Sequence, residues 1–98
     1  MTTFIIVDIL IPHASITPVR YIIDLFMNAL IKIDFIYDIS VITEQARIQY
    51  SDDTYIVQFV IKTTGKYKPT RELSIVADEI DRIIPDTCKI EQIRASEV

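Results

Sequence analysis

A chain of 98 residues is long enough for one domain with a modest core, and half of its residues are hydrophobic. The formal net charge of −4 argues against a general nucleic-acid coat, and no run of about 18 apolar residues predicts a transmembrane helix. A single cysteine, Cys88, excludes an internal disulfide, and a single histidine, His13, is too few to complete a zinc site with it.

A hydrophobic content of one half of the residues and a positive mean hydropathy are high values for a soluble monomer. A chain of this length buries only roughly 60–65% of its unfolded surface, so we expect a partner to cover more of it. The N-terminus has no basic start followed by an apolar segment and a small-residue cleavage site, so no signal peptide is predicted. A cytoplasmic or intravirion location is therefore expected.

The first predicted element is a strand over residues 4–11, which is short, rich in β-branched residues and closed by Pro12. Alternate residues of a strand point to opposite faces of a sheet, and both faces are apolar here. One face holds Ile5, Val7, Ile9 and Ile11, and the other holds Phe4, Ile6, Asp8 and Leu10. A strand that is apolar on both faces belongs in the middle of a sheet, with something covering each side.

A helix is predicted over residues 18–32, where Thr17 supplies a hydroxyl cap and Pro18 occupies the first turn. Its apolar stripe at helical spacing holds Val19, Ile22, Ile23, Phe26 and Leu30. Further apolar residues lie off that stripe: Tyr21, Leu25, Met27 and Ile31. The helix therefore has more apolar surface than one sheet face needs, and we expect Leu25 to contribute to an interface.

Two strands follow this helix. Residues 35–50 are strand-like, but the apolar phase changes near Glu44 and Gln45, which predicts a β-bulge or a break into two strands. After a turn at residues 51–53, a strand over residues 54–63 has a core face made of Tyr55, Val57, Phe59 and Ile61. Its other face is mixed and holds Thr54, Ile56, Gln58, Val60 and Lys62.

A second helix is predicted over residues 71–84, with Thr70 as its cap and Pro85 as its stop. Its apolar stripe holds Leu73, Val76, Ala77, Ile80, Ile83 and Ile84, and its acids are expected on the outside. Residues 87–94 are predicted to form a short, mostly polar edge strand.

This order of elements predicts an α+β domain with the ferredoxin-like split β-α-β-β-α-β arrangement, an antiparallel sheet with two helices on one face. The whole chain, residues 1–98, is predicted to be a single domain. The first and third strands would be central, and the uncovered face would expose Phe4, Ile6, Leu10, Ile56 and Val60. A patch of this kind typically marks an interface, here one for a homodimer or a larger protein complex. The alternative is that a terminus or the long second strand folds over it.

The segment Tyr50, Ser51, Asp52 and Asp53 resembles the Tyr-x-Asp-Asp hairpin of polymerase palm domains, which share the split βαβ core. In that family, hairpin aspartates and one on the first strand hold two Mg²⁺ ions for phosphoryl transfer. The resemblance therefore implies a metal site at Asp8, Asp52 and Asp53. The alternative is a solvated turn, because the chain is too short for polymerase fingers or a thumb.

A basic segment, residues 62–71, carries no acid and contains Lys62, Lys66, Tyr67, Lys68 and Arg71. The rest of the chain carries 6 of the 10 bases and all 14 acids, a net charge of −8 (6 − 14). The segment leads into a helix N-terminus, which favours anions, and Tyr67 could stack on a base. Phosphate or RNA contact is therefore a second hypothesis, against the alternative of an ordinary charged loop.

The sequence predicts neither an enzyme nor a cofactor. The serines have no base motif nearby, and a single glycine, Gly65, excludes both glycine-rich phosphate loops. His13 has no nucleophile or carboxylate predicted beside it and is expected to be an exposed loop residue. The first hypothesis is therefore a non-enzymatic, self-associating module that serves in assembly or partner docking.

The chain resembles the small dimerising subunit of the KEOPS complex, which supports threonylcarbamoyl modification of tRNA. The features are Ile-Leu-Ile-Pro at residues 9–12, an aliphatic helix, Tyr50 and Ser51 before a hairpin, Val-Gln-Phe at residues 57–59, and a long amphipathic helix. The chain departs from that pattern in its basic loop and in the strand after Pro85. The resemblance implies a non-catalytic subunit that dimerises and docks a larger enzyme. The Ile-rich, Cys-poor composition would also suit a thermophilic archaeal or archaeal-virus protein.

Overall fold

The computed structural model of the chain describes residues 3–45 and 53–97. Its elements are β1 (Thr3–Ile11), α1 (Val19–Leu30), β2 (Ile36–Gln45), β3 (Tyr55–Thr63), α2 (Pro69–Ile83) and β4 (Lys89–Glu97). The strands form one antiparallel sheet in the order β2-β3-β1-β4, which confirms the predicted ferredoxin-like fold and its central strands. Neither of these helices has the length and apolar character needed to span a membrane.

One face of the sheet, called the covered face here, packs against both helices. Its central residues are fully buried: Ile5, Val7, Ile9, Ile11, Val57, Phe59 and Ile61. The helices contribute Ile22, Phe26, Leu30, Val76 and Ile80 to the same core. The rings of Phe26 and Phe59 stack with their centroids 5.1 Å apart. The predicted core faces of both central strands and the apolar stripes of both helices are confirmed.

The opposite face, called the open face here, carries the even-numbered residues of β1 and β3. Four of the predicted interface residues are half-buried on it: Phe4, Ile6, Ile56 and Val60. Leu10 is different, because it is only 5% exposed and so offers almost no surface to a partner. In the register it lies between Ile56 and Lys89, and its side chain is buried within the single subunit.

Both helix starts differ from the prediction. Each helix begins at or just after a proline, Pro18 or Pro69, and neither has a side-chain cap. The Thr17 hydroxyl instead lies 2.7 Å from that of Thr87, and Thr70 lies inside the first turn of α2. Proline presets the helical φ and lacks an N–H, so a helix that starts there depends less on a hydroxyl cap.

The pairing of β2 with β3 is regular from Asp38 to Gln45, and a register shift lies at its start, between Ile36 and Asp38. The predicted change of phase near Glu44 is therefore absent as far as Gln45, and residues 46–50 lie outside the described part of the chain. The turn predicted at residues 51–53 also lies mostly outside it.

The edge strand β4 is confirmed but begins and ends later than predicted. Asp8 pairs with Gln92 and Ile9 pairs with Ile90, so Glu91 is the extra residue of a bulge. The bulge shifts the alternation, and Ile90 and Ile93 consequently both pack against the core. Because their spacing of three is not the period of a regular strand, the sequence pattern made this strand look mostly polar.

Candidate functional site

The open face is an array in which each row crosses β2, β3, β1 and β4. Residues directly opposite each other in antiparallel strands share a face, so the register fixes the rows. The first three rows hold Asp38, Lys62, Phe4 and Ser96; Ser40, Val60, Ile6 and Arg94; and Ile42, Gln58, Asp8 and Gln92; the fourth holds, from β3 to β4, Ile56, Leu10 and Lys89.

Apolar side chains occupy the middle of this array. Ile6 and Val60 lie side by side at its centre and are half-buried. Ile42 extends the apolar surface towards the β2 edge and is 49% exposed. Sequence reasoning did not single out Ile42, although its position between core-facing Val41 and the end of β2 would have placed it here. Monomeric proteins seldom leave contiguous apolar surface of this kind uncovered unless it has a role.

One polar pair interrupts the apolar surface. Gln58 Nε2 donates a hydrogen bond of 2.9 Å to Asp8 Oδ1 across the two central strands. With Ile42 and Ile56 the pair lines a shallow cavity of about 240 Å³. Among residues 3–45 and 53–97, no second hydrogen bond to Asp8 is formed, and its Oδ2 has no partner within them. The expectation that Asp8 faces the open side is met.

Charges at the rim of the open face are separated by sign. On the β2 side, Asp38 Oδ2 lies 3.6 Å from Lys62 Nζ, which in turn lies 5.9 Å from the centroid of the Phe4 ring. On the β4 side the rim carries two exposed bases, Arg94 and Lys89. The face therefore has an acid–base pair towards the β2 edge and two bases towards the β4 edge.

Of the proposed metal ligands, the structure describes Asp8 and Asp53 and places them at different levels of the sheet. Tyr55, which pairs with Ile11, stands roughly 10 Å along the strand from the level of Asp8, and Asp53 lies beyond it. Its carboxylate oxygen lies 3.0 Å from Nδ1 of His13, a loop residue at φ 54°. Asp52 lies outside the described residues, and within them no group of three or more His, Cys, Asp and Glu side chains could hold a metal.

In the basic segment, ion pairs already engage part of the charge. Lys66 donates a hydrogen bond to Asp34, which lowers the pKa of the Asp34 carboxyl and raises the pKa of the lysine. Tyr67 packs edge-on against Phe35 with centroids 5.9 Å apart, and the Arg71 guanidinium lies 4.8 Å from its ring centroid. These contacts leave Tyr67 less free to stack on a base. Phosphate or RNA contact stays a prediction for this segment, with Lys68 and Arg71 flanking the start of α2.

A buried acid was missed. Glu72 was expected on the solvent-exposed side of α2. It is instead 0% exposed, and the hydroxyl of Thr63 donates a 2.8 Å hydrogen bond to its Oε1. Its Oε2 has no partner among the described residues. The signal was in the sequence, since Glu72, Val76 and Ile80 recur at intervals of four and so share one helical stripe. The first turn of a helix also favours an acid electrostatically.

The helix layer offers a second, more polar surface. Leu25 packs partly buried against the core and lines a cavity of about 430 Å³ between α1 and α2, together with Lys32, Glu79 and Arg82. Arg82 donates to Glu79, and this hydrogen bond lowers the pKa of the Glu79 carboxyl. Leu25 is partly buried against the core, and its contribution to an interface stays a prediction.

Comparison of the chain with known protein families, curated proteins and solved structures finds no match. The resemblance to the KEOPS subunit stays a prediction.

Proposed function

We propose that the protein is a non-catalytic, self-associating module whose open face docks a second copy of the chain. The observation that carries this proposal is the partly accessible apolar surface of that face, Ile6, Val60 and Ile42, on a sheet whose other face has a fully buried centre. Removing apolar surface from water is worth roughly 25 cal/mol per Å² and is the main driving force of association.

The other exposed apolar residues make a weaker case for an interface. Tyr21 and Ile31 of the helix layer are each 54% exposed, but ten residues of helix separate them by roughly 15 Å. Ile16, 73% exposed, lies in the loop before α1. Apolar residues that are scattered singly over a surface are ordinary and need no partner.

The resemblance to the KEOPS subunit extends the proposal to partner docking. A dimer joined through the open faces would leave α1 and α2 of both copies accessible, including the cavity near Leu25. That helix layer is the surface on which a larger enzyme of a tRNA-modification complex would dock. The cytoplasmic location belongs to the same proposal.

A pair of matched substitutions tests self-association. Ile6→Glu introduces a charge at the centre of the open face, whereas Ile31→Glu introduces the same charge on the helix side. Light scattering at tens of micromolar should show a dimer for the unchanged chain and for Ile31→Glu. The Ile6→Glu variant should be monomeric, because two copies of the charge would be desolvated at the interface.

Folding of each variant is checked by circular dichroism, and the milder Val60→Thr, close in shape to the native side chain, replaces Ile6→Glu if that chain does not fold. Dissociation by Ile31→Glu, with Ile6→Glu still dimeric, would move the interface to the helix layer and overturn the proposal.

A further inference from the structure

We infer that two copies stack open face to open face about a two-fold axis parallel to the strands, which closes a reciprocal hydrogen-bond ring between Asp8 and Gln58 of each copy. This inference rests on the proposed function and adds the orientation of the partner. Isologous contact requires each part of the surface to meet a complementary part of the same surface.

Two simple orientations are available to stacked sheets. A two-fold axis parallel to the strands keeps every row at its level and exchanges the strands, so β1 meets β3 of the second copy and β2 meets β4. An axis in the interface but perpendicular to the strands does the opposite: each strand meets its own copy and the order of the rows is reversed. Sheets packed face to face keep their strand directions within about 30°, which both orientations allow.

The polar pair distinguishes these orientations. With the parallel axis, Asp8 meets Gln58 of the second copy, and Ile6 meets Val60. Gln58 uses one amide N–H for Asp8 of its own chain, so its other N–H can donate to Oδ2 of Asp8 in the second copy, an atom with no partner in the described part of the chain. With the perpendicular axis, Asp8 would meet Ile6 and Gln58 would meet Val60, which buries a carboxylate against aliphatic side chains without a new donor.

The rim charges favour the same orientation. The parallel axis places the β2 side of one copy, with Asp38, over the β4 side of the other, with Arg94. Asp38 shares its row with Ser96, so at both edges of the interface it lies one row away from Arg94 of the other copy and not directly opposite it. The perpendicular axis would instead set β4 against β4, so that the bases of the two copies approach each other. Electrostatic complementarity of this kind fixes the register of a complex more than its affinity.

Thiol cross-linking between two tagged chains tests the orientation. In a Cys88→Ala background, one chain carries Ile42→Cys and the other, with a heavier tag, carries Gln92→Cys; both positions are exposed and share the third row. With the parallel axis these cysteines face each other between copies. With the same axis, the two cysteines of a dimer formed by two Ile42→Cys chains would lie about 14 Å apart across the strands, which is three strand spacings. A short bis-maleimide should therefore link the mixed pair at least fivefold more than either chain alone.

Each outcome separates the orientation from the association itself. Cross-linking of Ile42→Cys with itself would establish the perpendicular axis and overturn the inference. A sample that light scattering shows to be dimeric, but that yields no mixed product, would also overturn it and leave self-association standing through another surface. A monomeric mass would remove both the inference and the proposed function.

Discussion

The two faces of the sheet are built by the same central strands and differ in what lies against them. Ile5 and Ile6 are neighbours of the same type, yet Ile5 is 0% exposed under the helices while Ile6 is only half-buried. The alternation of β1 prepares both faces for burial, but both helices of the fold lie on one side. Apolar character in a strand thus predicts burial, and the topology decides whether the subunit itself supplies it.

Each side of the sheet also has an acid that accepts a hydrogen bond from one neighbouring side chain. Beneath the helices, Glu72 is enclosed within the subunit with Thr63 as its donor. On the open face, Asp8 is half-buried with Gln58 as its donor. Folding of the subunit alone removes Glu72 from water, and this desolvation opposes folding. Asp8 is fully removed from water only when a partner covers the open face.

The largest expected difference between the faces concerns their aliphatic residues. Ile5→Ala should reduce the free energy of unfolding by about 2–5 kcal/mol, because it leaves a cavity in a fully packed core. Ile6→Ala should cost about 1 kcal/mol in the monomer, since the side chain is only partly buried there, and should weaken self-association about tenfold or more. Urea unfolding and light scattering measure the two quantities, and equal unfolding losses for the two variants would show that the open face is already enclosed within the subunit.

A smaller difference is expected between the two polar pairs. Thr63→Val removes the donor to a fully buried carboxylate and should destabilise the fold by about 1–3 kcal/mol. Gln58→Leu should leave the unfolding of the dilute monomer nearly unchanged but raise the dissociation constant, because Asp8 then enters the interface without a donor. A double-mutant cycle with Glu72→Leu, which removes the acceptor, checks the first pair: if Thr63→Val costs as much in the Glu72→Leu background as in the native chain, the hydroxyl does not stabilise the fold through Glu72.

The smallest expected difference between the two sides of the sheet concerns the reactivity of cysteine thiols. Cys88 is 7% exposed, and burial raises the pKa of its thiol, so it should react slowly with iodoacetamide at pH 8 until the chain is unfolded in urea. A cysteine introduced by Ile42→Cys should react fast at low protein concentration and more slowly at high concentration, where a second copy covers it. Rapid labelling of Cys88 in the folded chain would contradict its burial, and a concentration-independent rate at residue 42 would count against the proposed interface.

The sequence was sufficient to predict the order of the strands and helices and the residues on their core faces, because the sequence signals for these features are local. The alternation of β1 and β3 and the stripes of α1 and α2 follow from periodicities of two and 3.6 residues. The position of Glu72 was equally readable from its spacing with Val76. It was missed because an acid was expected to be exposed, although its place on the apolar stripe and in the first turn of α2 both point to the buried position.

The remaining features depend on residues that only the fold brings together. Lys66 pairs with Asp34 across 32 positions of sequence, and Thr17 meets Thr87 across 70. The bulge at Glu91 is set by pairing with β1, so the core-facing residues of β4 could not be read from alternation. The same limit applies to the open face, whose rows are defined by register between strands far apart in the chain.

The most direct measurement of the central claim is the molar mass of the unchanged chain by light scattering over a dilution series. The account predicts a rise from 11.3 kDa towards twice that value, 22.6 kDa (2 × 11.3), by tens of micromolar. The rise should be absent in Ile6→Glu and retained in Ile31→Glu. A constant mass of 11.3 kDa up to that concentration would contradict the account, because the open face would then stay uncovered in solution.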